Sequence, residues 1–186
     1  VPHRNSADQE PLLELPSQHR VPLSWLLQHG GEILALRCLT ELAPAGTVDP
    51  AAIDAARQAV VASKPAAAVV KKQKDTGVWA GNLLGLAASK ATGVKDVGTI
   101  PQYRRLLQMG YPLTGRPFKL ADRLLFRLLS RDDDPALLFE FRKMAAGDTH
   151  AESWARWVIR EASCAALAEA GHIEDPRLRG SAHKVA

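Results

Sequence analysis

The sequence predicts an all-α fold, an α/α superhelix of stacked antiparallel helix pairs, and three observations carry that prediction. The first is residue balance: of 186 residues, 30 are Ala and 25 are Leu, whereas Val and Ile together number only 17. Ala and Leu favour helices, and the β-branched residues that favour strands are scarce. The second is punctuation. Pro directly follows Asp at Asp49-Pro50, Asp134-Pro135 and Asp175-Pro176, the pattern of an N-cap followed by the first helical position. The third is a recurring helix end. Leu26-Leu27-Gln28-His29-Gly30 is repeated as Leu106-Leu107-Gln108-Met109-Gly110 after 80 residues, with a weaker copy at Leu167-Ala168-Glu169-Ala170-Gly171. Gly at such an end suits a left-handed C-cap, so Gly30, Gly110 and Gly171 are expected to be structural. Two periods of about 40 residues give the observed spacing, inside the range of helix-pair repeats.

Taken in order, residues 1–21 are polar and carry Pro2, Pro11 and Pro16. They predict an extended, loosely ordered N-terminal arm, with Leu12, Leu13 and Leu15 available to pin it to a surface. Residues 22–186 predict about ten short helices in one helical-repeat domain. Pro22 opens the first, through Trp25, Leu26 and Leu27. Ile33, Leu34, Leu36, Leu39 and Leu42 give a second apolar face, closed by Pro44 and Gly46. Asp49-Pro50 starts a helix using Ile53, Ala56, Val60 and Val61, and Pro65 another through Val69. Trp79 to Lys90 carries Leu83, Leu84, Leu86 and Ala87 at helical spacing and predicts a further helix. Thr99-Ile100-Pro101 caps one through Tyr103, Leu106 and Leu107. Pro117 opens a helix with Leu120, Leu124, Leu125 and Leu128, and Asp134-Pro135 one with Leu138 and Phe139. Thr149 opens a long helix with Trp154, Trp157, Val158, Ala165 and Leu167, and Asp175-Pro176 starts the last. The chain begins with Val and ends inside this last pattern, so a fragment of a longer chain is expected.

Two resemblances sharpen this expectation. Asp175-Pro176-Arg177-Leu178-Arg179-Gly180-Ser181-Ala182 resembles the start of the second helix of a HEAT-type repeat. Gln73-Lys74-Asp75-Thr76-Gly77-Val78-Trp79 is similar to the Gln, spacer, Gly-x-Trp core of squalene-cyclase and prenyltransferase α/α toroids. The second resemblance implies that the Gln73 side chain caps helix ends with Trp79 stacked beneath it. The Asp-x-Asp-Asp motif of those cyclases is missing. Asp132-Asp133-Asp134 is three acids in a row at a helix start, a placement that complements the helix dipole.

Charge is unevenly spread. Residues 64 to 131 hold thirteen Lys or Arg and three acids, net +10, while the rest holds eleven basic and seventeen acidic residues, net −6. Lys119, Arg123, Arg127 and Arg131 are four apart and form one basic ridge along a helix, beside the Leu120, Leu124 and Leu128 stripe. Arg104 and Arg105 precede the ridge and Arg116 lies in the loop between. These seven residues are the candidate partner-binding set: such a ridge suits phosphates or an acidic partner. Trp79, beside Gly81 and Asn82, is the expected buried anchor.

Catalytic and metal constellations are not found. His150-Ala151-Glu152 resembles the His-x-Glu of zinc deaminases, yet the Pro-Cys-x-x-Cys ligands are absent. The six histidines form no i,i+4 pair, and no Gly-x-Ser-x-Gly elbow, P-loop or dinucleotide fingerprint occurs. No metal or cofactor is expected. Two distant cysteines, Cys38 and Cys164, suggest a reducing, cytoplasmic setting, and no apolar run is long enough for a membrane span. The sequence therefore predicts a non-enzymatic scaffold mediating protein–protein interaction. Two alternatives are a nucleic-acid-binding repeat, as in HEAT-like DNA glycosylases, and part of a toroid enzyme acting on an apolar isoprenoid.

Overall fold

A computed structural model describes residues 23–90, 94–131 and 133–185. The N-terminal arm expected over 1–21 lies outside the described residues. Among those described, nine α-helices and no strand are found. They are α1 (Leu23–His29), α2 (Gly31–Arg37), α3 (Pro50–Ala62), α4 (Lys64–Lys71), α5 (Thr99–Gln108), α6 (Arg116–Ser130), α7 (Arg142–Ala145), α8 (Thr149–Glu169) and α9 (Pro176–Val185). A π-turn at Cys38–Leu42 extends α2, and a 3-10 turn at Pro135–Phe141 precedes α7.

The Asp-Pro steps cap as their chemistry requires. Backbone N–H groups of Ala51, Ala136 and Arg177 donate to Asp49, Asp134 and Asp175, each at 2.9 Å. At α8 the cap is Asp148 rather than Thr149; its carboxylate accepts from the His150 and Ala151 N–H groups, which holds it below the usual carboxylate range. Asp134-Pro135 opens a 3-10 turn rather than a full helix, because Phe139 adopts φ 42° and ψ −118° and breaks the spiral.

The long helix α8 packs against α5, α6, α7 and α9, and α2 packs against α1 and α3. The core between them gathers Trp79, Tyr103, Leu106, Phe118, Leu125 and Leu167, all essentially buried. Tyr103 and Phe118 meet edge to face at 4.9 Å.

Two of the repeated helix ends behave alike. Gly110 (φ 73°) and Gly171 (φ 86°) are left-handed. The Gly110 and Tyr111 N–H groups donate to the carbonyls of Leu107 and Leu106, and the Gly171 and His172 N–H groups to those of Ala168 and Leu167. Both ends are thus Schellman closures. Gly30 differs: its φ is −79°, and Gly31 takes the positive φ of 69° instead. Gly30 is needed for space, since a Cβ there would lie 2.6 Å from the Leu26 carbonyl and 2.7 Å from the Leu34 Cβ.

The helix expected over 79–90 is absent. That segment is a series of turns with isolated bridges pairing Gln73 with Trp79, Trp79 with Asn82, and Ser89 with Val94. Polar side chains take the N–H groups a helix would have used. The Leu83 and Leu84 N–H groups donate to the Glu140 carboxylate at 2.9 and 2.7 Å, and the Gly85 N–H to the Asn82 side chain at 3.0 Å. Side chains that offer the backbone such partners compete directly with helix formation.

Candidate functional site

The basic ridge lies on α6 and its C-terminal cap. Lys119, Arg123, Arg127 and Arg131 are exposed; Leu124 and Leu128 are buried, and Leu120 is half-buried. The apolar and basic stripes run side by side because both recur every four residues. The seven candidate cations do not act as one group, however. Arg104 turns to Glu169, with two hydrogen bonds of 2.8 Å. Arg116 reaches Asp75 at 2.7 Å, and Arg127 approaches Asp134 at 3.5 Å. Among the described residues, no ion pair involves Arg105, Lys119, Arg123 or Arg131.

Trp79 is buried, in a turn and not at a helix start. Its Nε1 donates to the Val69 carbonyl at 2.8 Å, and its backbone N–H to the Thr99 hydroxyl at 3.2 Å. Gln73 Nε2 donates to the carbonyls of Gly77 and Pro117. The turn that carries them is pressed onto α6: a Cβ at Gly77 would stand 2.4 Å from the Leu120 carbonyl oxygen. Only glycine fits there.

An open groove of about 1020 Å³ lies between α2–α3 and the C-terminal end of α5. Its apolar lining comes from Leu36, Leu107, Tyr111, Pro112 and Leu113. Leu113 is 48% exposed, an apolar side chain standing in solvent. Three ion pairs also line the groove. Arg37 holds Glu41 with two 2.9 Å bonds, Arg57 holds Asp54 at 3.1 Å, and Arg104 holds Glu169. The Arg37 hydrogen bond keeps Glu41 below the usual carboxylate range. With each carboxylate held by its own guanidinium, the groove is electrically balanced.

A second polar cluster joins three elements. The Tyr103 hydroxyl donates to Asp122 Oδ1 at 2.7 Å, and His172 Nε2 lies 3.3 Å from Asp122 Oδ2. Burial pushes the Asp122 carboxyl up, against the pull of its two partners, and pushes the Tyr103 phenol up as well. The cluster ties α5 and α6 to the turn between α8 and α9. The same corner holds Arg177 over the Phe126 ring at 3.9 Å and, through the Arg177 guanidinium, lowers the Asp175 carboxyl to about 2.

Among the described residues no three of His, Cys, Asp and Glu gather to hold a metal ion. His150 is exposed in the first turn of α8. Cys38 and Cys164 are both buried free thiols. No described helix is long and apolar enough to cross a membrane.

The groove was not found from the sequence. Two of its ion pairs, Arg37 with Glu41 and Asp54 with Arg57, have the four- and three-residue spacings of helix-surface pairs and were readable. The third joins residues 65 apart. No family model, curated protein or solved structure matches the chain.

Proposed function

We propose that this chain is a non-enzymatic helical scaffold that docks a peptide segment of a protein partner in the groove between α2–α3 and α5. The observation that carries this reading is the groove itself, whose lining combines apolar side chains with three arginine–carboxylate pairs that cancel one another. Such a surface selects a segment with apolar anchors and little net charge, because a strongly charged ligand meets an opposing charge beside every attractive one. Within the groove Leu113 stands 48% exposed beside Leu36, Leu107, Tyr111 and Pro112. Exposed apolar groups gathered in one region mark interaction sites. Stacked antiparallel helix pairs, the finer architecture proposed for this chain, present grooves of this kind between successive pairs.

Site-specific photo-crosslinking tests the reading. A benzoylphenylalanine at position 113 should trap one defined partner segment from the native extract, and the same probe at exposed His183 should not. Trapping at both positions alike, or a substrate turnover abolished by a point change in the chain, would contradict it.

A further inference from the structure

We propose a second site, an anion pocket formed by Lys72, Lys74 and Lys95 that takes a compact oligophosphate, either free or as the triphosphate of a nucleotide. The pocket has a volume of about 320 Å³ and is lined by these lysines with Ala80 and Asp96. That is the lower end of small-ligand sites. The pocket lining holds three lysines and one carboxylate. The nearby Asp75 is engaged by Arg116 of α6 at 2.7 Å, so the pocket carries an excess of two positive charges. Lysines bind phosphate as point charges.

Lys72 and the turn beside the pocket are held by a hydrogen-bonded frame. Lys72 Nζ donates to Asp96 at 2.7 Å, which keeps that carboxyl below its ordinary range. Lys74 Nζ lies over the 79–82 turn, 3.9 Å from where a Gly81 Cβ would stand. Asn82, buried, donates to the Asp96 carbonyl at 3.1 Å. The Thr99 hydroxyl donates to the Asn82 carbonyl at 2.8 Å. Ala80 is held at φ 53°, left-handed for a residue that carries a Cβ. Strain of this kind persists where the surroundings over-determine it, and such positions cluster at ligand sites. The ligand chemistry follows from what the pocket lacks. Trp79 lines it but is 1% exposed, so its ring offers no face to a base. Single-stranded nucleic acid is held by stacking on such faces. The pocket therefore favours the phosphate groups and not a polynucleotide.

The test is calorimetric titration with sodium tripolyphosphate and with ATP, in sodium chloride of matched ionic strength, on the whole chain. Both probes should bind one to one. The double variant Lys74→Ala/Lys95→Ala should weaken both by roughly tenfold or more at an unchanged unfolding midpoint, while Lys119→Ala/Arg123→Ala on α6 should leave both affinities unchanged. Equal affinity for the two probes would assign the site to free oligophosphate, and tighter ATP binding would assign it to a nucleotide. Absence of binding by both probes would overturn the proposal. So would equal affinity in the Lys74/Lys95 variant, or an oligonucleotide that binds through Lys119 and Arg123 where tripolyphosphate does not.

Discussion

Replacement of Trp79 should show how far one turn segment holds the fold together. The ring is 1% exposed and belongs to the main core cluster, between the end of α4 and the start of α5. Burial of a tryptophan removes about 150–250 Å² from water, which at ~25 cal/mol per Å² is about 4–6 kcal/mol as an upper figure. Large aromatic truncations in cores cost about 3–5 kcal/mol. The lost indole bond adds less, because the Val69 carbonyl keeps the Lys72 N–H as a partner. Trp79→Ala should therefore cost about 3–5 kcal/mol, a large part of the ~5–15 kcal/mol that domains possess. Trp79→Phe keeps most of the ring area and gives up the Nε1 bond, so it should cost about 1–2 kcal/mol. Urea unfolding followed by circular dichroism measures both. A Trp79→Ala loss below about 1 kcal/mol would refute the central packing of this residue.

Three further outcomes are expected. Gly110→Val should destabilise by about 2 kcal/mol or more, since it combines a left-handed φ with a Cβ placed 2.7 Å from Leu36 Cδ2; an unchanged melting temperature would contradict it. Ala80→Gly should relieve about 1–2 kcal/mol of left-handed strain against about 0.5–1 kcal/mol of added chain entropy, a small net stabilisation, read as a rise in melting temperature. Asp122→Asn should flatten the pH dependence of stability. Burial raises the folded carboxyl, so the stability this group contributes is full below the ordinary carboxylate range and is lost as pH rises through the folded value. Wild type should thus lose stability relative to Asp122→Asn as pH climbs from about 4 towards neutrality; parallel curves would exclude the effect.

What was legible in the sequence was local. Asp49, Asp134 and Asp175 cap their own next turns, and the Gly110 and Gly171 ends are closed by carbonyls three to five residues back, so each is written within one short window. The 79–90 segment departs from the expected helix for the opposite reason. Leu83, Leu84 and Leu86 have helical spacing, but the group that decides their backbone is Glu140, 57 residues away. Two adjacent glycines identify a helix end, yet Gly31 is the left-handed one, while Gly30 keeps a negative φ and has no room for a Cβ beside Leu26 and Leu34. For the candidate sites, the ridge on α6 was visible because a single helix writes it. The groove draws on α2, α3, α5, the 110–114 loop and Glu169, and the lysine pocket on residues 72–80 and 95–97, which flank most of the segment expected to be a helix. Neither is contained in any one stretch of sequence.

The groove reading is tested most directly by the affinity of the segment trapped at position 113, made as a synthetic peptide. Leu113→Glu places a charge at an exposed apolar position of the groove and should leave the melting temperature unchanged while weakening that peptide roughly tenfold or more. Equal affinity for wild type and Leu113→Glu, with the fold intact in both, would contradict the docking groove.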